Sequence, residues 1–149
     1  MSFKQKIYNH CTHLVNENIN SLQNNLNDLM EGAKSDSKSS AGDKHETSIS
    51  MMQLEQEKVR KQLNEALEQK AELDKININV NNNRIAKGSL VKANNMFLFI
   101  SIALGKITID NKQIIILSSQ SPLGIKLMGK QKNDTAEING RKYLIETIE

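Results

Sequence analysis

The sequence predicts an α+β protein, with a long antiparallel α-helical coiled-coil hairpin over residues 1–75 and a small β-rich domain with one short helix over residues 76–149. Three observations predict it. Apolar residues recur every seven positions through two stretches of the N-terminal half. A polar segment rich in Ser, Gly, Asp and Lys separates those stretches. Past Gly88 the apolar period shortens to two and β-branched residues take over.

The first seam sets Tyr8, Val15, Leu22 and Leu29 at sevenfold spacing, with Ile19 and Leu26 between them. Between Lys4 and Ala33 there is no proline and one glycine, Gly32. The helix is therefore expected to run about 30 residues, roughly 45 Å, and to stop at Gly32, where a left-handed residue commonly ends a helix. Residues 31–47, EGAKSDSKSSAGDKHET, carry almost no apolar side chain and read as the hairpin tip, centred on residues 34–48. A second helix is expected to begin between residues 43 and 48 and to end near Leu73, with Met52, Val59, Ala66 and Leu73 on the same sevenfold spacing and Leu63 between. Neither helix can hide its apolar stripe alone, and the short polar break favours antiparallel pairing.

Residues 74–83, DKININVNNN, alternate Ile and Val with polar residues and read as a hinge or a first edge strand. SLVKA, MFLFISIA, KITID and QIIILS then read as strands, the last two joined by a turn at Asp110–Asn111. Ser121 is a suitable N-cap and Pro122 a suitable first helical residue, so a short helix is expected over residues 121–129, with Leu123, Leu127 and Met128 on one side. The chain closes with a hairpin turning at Asn139–Gly140.

Composition narrows the function classes. Aromatic residues make up 3% and Trp is absent, so the core must be built from Ile, Leu, Val and Met, and a large aromatic-lined ligand pocket is not expected. The net charge of +3 divides unevenly: residues 1–75 carry ten Lys/Arg against twelve Asp/Glu, and residues 76–149 carry ten against five. That split suits a C-terminal half that docks on an acidic surface, although a basic surface is ordinarily just solvated. Cys11 is the only cysteine, which rules out an intramolecular disulfide. No leader-like apolar segment opens the chain and no run approaches the ~18 apolar residues of a membrane span, so a cytoplasmic location without membrane contact is expected.

Among polar residues, Asp43 and Glu46 stand out as a D-x-x-E pair at the tip. By itself this spacing is close to a capping box, and acids are favoured at a helix start in any case. His10, Cys11 and His13 share one helix, but no third and fourth ligand follow at zinc spacing.

The stretch SSQSPLGIKLMGKQKNDTAEINGRKYLIETI resembles the final segment of the bacterial transcript cleavage factors, the Gre family, which reads S-P-[LI]-[GA]-x-x-L-[LM]-G-K, a spacer, G-D, and a last hairpin. Ser121, Pro122, Leu123, Leu127, Gly129 and Lys130 match it; Asp134 holds the place of the family's Asp, with Asn133 where Gly is usual. The family carries G-D-x-S-E-N-A at its coiled-coil tip, and this chain has Gly42-Asp43-Lys44-His45-Glu46-Thr47-Ser48 in the corresponding place. His45 replaces Ser, Thr47–Ser48 replace Asn-Ala, and Ile49–Ser50 stand where aromatic or acidic residues are common. The connection leading into QIIILS is also shorter than the family's acidic loop.

The resemblance implies an FKBP-like C-terminal domain. It also implies a monomeric transcription elongation factor that binds RNA polymerase and stimulates the polymerase's own cleavage of backtracked RNA, and so a cofactor of an enzyme rather than an enzyme. Asp43 and Glu46 would be the catalytic pair, holding a transient Mg²⁺ shared with the polymerase and orienting the attacking water. Two carboxylates leave most of a Mg²⁺ shell to water, so no tightly bound cofactor is expected in the free chain. Lys58, Arg60 and Lys61 could contact the nascent RNA 3′ end, or form a solvated helical face. Ser121, Pro122, Leu123, Gly124 and Lys130 are assigned to polymerase docking or domain packing, with Pro122 and Gly124 structural. An alternative of the same shape is a non-catalytic regulator that occupies the polymerase's secondary channel; another is a coiled-coil adaptor unrelated to transcription. Prolyl isomerase activity is not expected, because only Phe97, Phe99 and Tyr143 are available to line a pocket.

Overall fold

A computed structural model describes the backbone of residues 1–37 and 42–149, and the side chains of residues 1–32 and 47–149. Two helices, α1 (Phe3–Ser37) and α2 (Gly42–Asp74), precede six strands and a short helix, α3 (Pro122–Leu127). The strands are β1 (Leu90–Ala93), β2 (Met96–Ser101), β3 (Gly105–Ile109), β4 (Lys112–Ser118), β5 (Thr135–Ile138) and β6 (Arg141–Ile148). The chain is thus α+β. Its contacts divide it into two compact units, His13–Lys70 and a second made of Met1–Thr12 with Ala71–Glu149.

In the unit His13–Lys70, Val15 and Ile19 of α1 and Val59 and Ala66 of α2 are buried, while Leu22, Leu26, Leu29, Met52 and Leu63 are half-buried. These are the residues the sevenfold spacing selects. Gln56 joins them with only 9% of its surface exposed, because its Nε2 donates to Leu29 O at 3.4 Å. Leu29 meets Gln56 and Gly32 meets Met52, so the helices run antiparallel.

Gly32 does not end α1, which continues to Ser37, and it is not among the glycines with positive φ. It serves a packing purpose instead. A Cβ there would stand 2.9 Å from Met52 Cε, the mobile end of that side chain, so Met52 lies close over the glycine. One interior Gly costs a helix about 1 kcal/mol, too little to terminate it where a neighbour packs on the gap.

In the other unit, the α1 seam passes through Ile7 and Cys11, both fully buried, with Tyr8 half-buried. Ile7, Cys11, Val15 and Ile19 are spaced by four, and since four residues overshoot a turn by about 40°, the buried stripe rotates away from the expected heptad. Tyr8 Oη donates to Leu73 O at 2.8 Å. Lys4, only 4% exposed, donates to Val80 O at 3.3 Å. Burial lowers its pKa, opposed by the nearby Glu149 carboxylate.

Residues 75–89 are irregular rather than a strand, and they are packed. Ile85 is 2% exposed in the core, and Gly88, at φ +91°, sits where a Cβ would meet Ile76 Cγ2 at 2.7 Å. The expected hinge is therefore a wrapped segment held by its isoleucines.

The sheet has the order β3-β4-β2-β1-β6-β5. All neighbours are antiparallel except β2 and β4, which pair in parallel from Phe97↔Ile114 to Ser101↔Ser118. The connection from β2 to β3 crosses the end of β4, placing β3 outside β4, and Leu104 N–H reaches Ile116 O at 3.3 Å. Three turns are tight because Asn and Asp tolerate the left-handed region: Asn94–Asn95 at φ 52° and 62°, Asp110–Asn111 at 53° and 62°, and Asn139–Gly140 at 51° and 78°. Asn133 likewise has φ 74°, the conformation that its place before Asp134 requires.

Alternation along the strands gives the sheet two apolar faces. Val91, Ala93, Leu98, Ile100, Leu117, Ala136, Tyr143 and Ile145 gather on one face with Ile85 and the α3 residue Leu127. Leu90, Phe99, Ile114 and Ile116, on the other face, are also buried. Phe3 of α1 lies on that side, its ring 5.1 Å from that of Phe97 in an edge-to-face contact. No helix among the described residues is long and apolar enough to cross a membrane.

Candidate functional site

Asp43 and Glu46 belong to the first turns of α2, which starts at Gly42 and so one residue before the expected window. Their side chains lie outside the described residues.

Lys58, Arg60 and Lys61 are exposed on α2. At about 100° per residue, Arg60, Lys61 and Lys58 fall within an arc of about 160° on the side of α2 turned away from Val59.

The segment from Ser118 to Lys130 is built inward. Ser121 Oγ donates to Ser118 O at 2.7 Å and accepts from Gly124 N–H at 3.0 Å, capping α3. Pro122 starts the helix and is exposed, Leu123 packs on the core, and Leu127 is fully buried. Gly124 is buried where any Cβ would overlap the Ser118 carbonyl oxygen. Gly129, at φ 79°, donates to Ile85 O at 2.8 Å, and Lys130 O accepts from Ile85 N–H at 2.9 Å. This ties the end of α3 to the wrapped segment. The outward residues of α3 include Ile125, 59% exposed, and Met128.

Cys11 is in the seam, and burial pushes its thiol up to about 12. That removes it from the His10, Cys11, His13 set, and His13 Nε2 instead faces Glu17 at 3.0 Å. Among the described residues, no group of three or more His, Cys, Asp or Glu is placed to hold a metal. Phe97 packs on Phe3, Phe99 is fully buried, and Tyr143 is 7% exposed beneath Arg141. Glu72 is held below the ordinary carboxylate range by a hydrogen bond and charge from Lys75, and then by Lys87.

A group with no local signal in the sequence forms around Phe3 and Phe97. Lys112 Nζ lies 4.9 Å from the Phe3 ring centre and 5.7 Å from that of Phe97, and Lys92 Nζ lies 6.0 Å from the latter. Lys6 pairs with Asp110 at 2.9 Å nearby. Five separate elements or turns supply these side chains, so only the tertiary fold brings them together.

Fold and site together define an α+β protein in which an antiparallel helix pair precedes a six-stranded mixed sheet capped by α3. No family model and no curated protein matches the chain. Among solved structures it is similar to the crystal structure of the GreA factor homolog 1 (Gfh1) protein of Thermus thermophilus, with 13% identity, a TM-score of 0.37, and coverage of 93% of this chain and 94% of that one.

Proposed function

We propose that this chain is a transcription elongation factor that binds RNA polymerase and stimulates cleavage of backtracked RNA through Asp43 and Glu46. The observation that carries the reading is a double motif in one chain: G-D-K-H-E at the start of the second of two antiparallel helices, and S-P-L-G-I-K-L-M-G-K around a capped helix on a sheet. The FKBP-like assignment of residues 76–149 belongs to the same proposal.

The helical stretches of residues 13–37 and 42–70 are about 37 Å and 43 Å long, so a carboxylate at their junction stands far along a thin support. Carboxylates are hard oxygen donors of the kind Mg²⁺ prefers, and Asp43 and Glu46 are the residues that would hold it. Bound beside a phosphate, that ion would supply charge stabilisation and a more acidic water. The protein's own contribution is position: two carboxylates three residues apart, about one helical turn, near the start of α2.

Backtracked elongation complexes test the reading. Wild-type protein is expected to release short 3′ RNA fragments, and Asp43→Ala/Glu46→Ala is expected to release none while still co-purifying with the polymerase. A wild-type protein that binds the polymerase, slows elongation and releases nothing would replace this reading with the non-catalytic one, which the substitutions at His45, Thr47 and Ser48 make the natural second choice. Absence from purified polymerase altogether would overturn both.

A further inference from the structure

We propose that the surface formed by Phe3, Lys92, Phe97 and Lys112 binds single-stranded nucleic acid through its phosphates, at a place separate from the D-x-x-E tip. The inference does not rest on the elongation-factor reading.

Three observations carry it. Lys92 and Lys112 both direct their ammonium groups to the ring of Phe97, at 6.0 and 5.7 Å, which places two like charges within about 12 Å of each other. Neither is neutralised. Among the described residues no carboxylate pairs with either one, whereas Lys6, Lys75 and Lys87 in the same unit each face an Asp or Glu. Unpaired, converging cations attract an anion, and contact with the rings has already restricted two side chains that otherwise lose considerable freedom on binding.

The rings decide between kinds of anion. Phe3 and Phe97 are half-buried, not sealed, and they stand edge to face, with Lys112 beside both rings and Lys92 beside Phe97. A nucleotide strand offers a phosphate for each ammonium and a base that can lie on aromatic surface, the combination that single-strand binders use. An acidic peptide offers charge alone and leaves the rings without a role. The setting agrees, since residues 76–149 carry ten Lys/Arg against five Asp/Glu.

The test is fluorescence anisotropy of a labelled oligouridylate titrated with the full chain at about 50 mM salt, and again at about 200 mM. Lys92→Gln/Lys112→Gln is compared with Lys126→Gln/Lys132→Gln, which removes the same charge from exposed positions elsewhere in the same unit. The first pair is expected to weaken binding at least about tenfold and to make the log–log salt dependence shallower by about 1.4, the value for two lost single-strand phosphate contacts. The second pair should stay within about twofold of wild type, and Phe3→Leu should weaken binding with no change in salt dependence, as loss of a stacking surface requires. Equal losses from the two lysine pairs overturn the proposal, as does absence of wild-type binding at the lower salt. Displacement of the RNA by oligoglutamate at equal charge concentration also overturns it and assigns the surface to an acidic protein partner.

Discussion

Gly124 is the position where the fold leaves no room for change, since any Cβ meets the carbonyl oxygen of Ser118, a backbone atom that cannot swing away. Gly124→Ala is expected to cost at least about 3 kcal/mol in urea unfolding, because relief requires moving α3 off the sheet. Ser121→Ala removes only a cap and should cost about 1 kcal/mol. If the glycine variant unfolds at the wild-type urea concentration, the close approach is not holding α3. The Ser121 cap was legible beforehand because its role is local, a hydroxyl just ahead of Pro122, whereas the approach of Gly124 to the Ser118 carbonyl shows only in the folded chain. Cys11 was not legible either. Its immediate neighbours His10, Thr12 and His13 are polar, and the i±4 partners that mark it as core, Ile7 and Val15, follow a spacing of four rather than the sevenfold seam. With the thiol held at about 12 in the fold against 9.0 in the open chain, its contribution to stability is complete below pH 9.0 and is lost as pH rises from there towards 12. Wild type should therefore lose more stability than Cys11→Ala on crossing that range, and native protein should resist thiol reagents until it unfolds. Prompt modification of the native thiol would show that the seam is open at this point.

Periodicity gave the elements of the molecule more readily than their partners. The sevenfold spacing identifies Val15, Leu22, Val59 and Ala66 as a seam with Ile19 between, and the short, continuously apolar runs of β2 and β4 mark them as strands buried on both faces. Strand pairing is set elsewhere. Nothing local makes β2 and β4 parallel neighbours with β3 displaced to the edge, and nothing near Phe3 points to Phe97. The helix start is a further case. Residues 1–12 look like the opening of a coiled coil, yet by contact they belong to the unit that contains the sheet, where Ile7 is wholly buried. Ile7→Ala should cost about 3 kcal/mol, within the range for a buried Ile or Leu, and should lower amide protection in β2 and β4. Unchanged protection in those strands would mean that the first turns of α1 are not part of the sheet's core. The candidate site was legible to a similar degree: the D-x-x-E pair can be read from adjacent letters, whereas the Lys92, Phe97, Lys112 and Phe3 surface exists only once register is known.

Across the whole molecule the apolar core is shared unequally between the two contact units. The unit Met1–Thr12 with Ala71–Glu149 buries Leu98, Phe99, Ile100, Ile114, Ile116 and Ile145 in a sheet covered on both faces, with Leu127 of α3 packed against it, and its strands exchange hydrogen bonds along five pairings. The unit His13–Lys70 has a single seam, in which Val15, Ile19, Val59 and Ala66 are the buried apolar residues among those described and Gln56 occupies a place that a leucine would fill more favourably. At about 25 cal/mol for each Å² of apolar surface removed from water, a narrow seam interrupted by an amide is stabilised less per residue than a two-faced sheet. Helices of this kind take most of their stability from that seam, since propensity alone leaves long polar helices marginal. Native-state hydrogen exchange under increasing urea should therefore separate the chain. Amides of residues 13–70 are expected to exchange through openings of lower free energy, and those of β1, β2 and β4 only near global unfolding. Gln56→Leu should raise the first set by about 1 kcal/mol, by replacing a buried amide that has one long hydrogen bond, and leave the second set where it was. One common opening energy for amides of both units, moving together in the variant, would show instead that the helix pair and the sheet form a single cooperative structure.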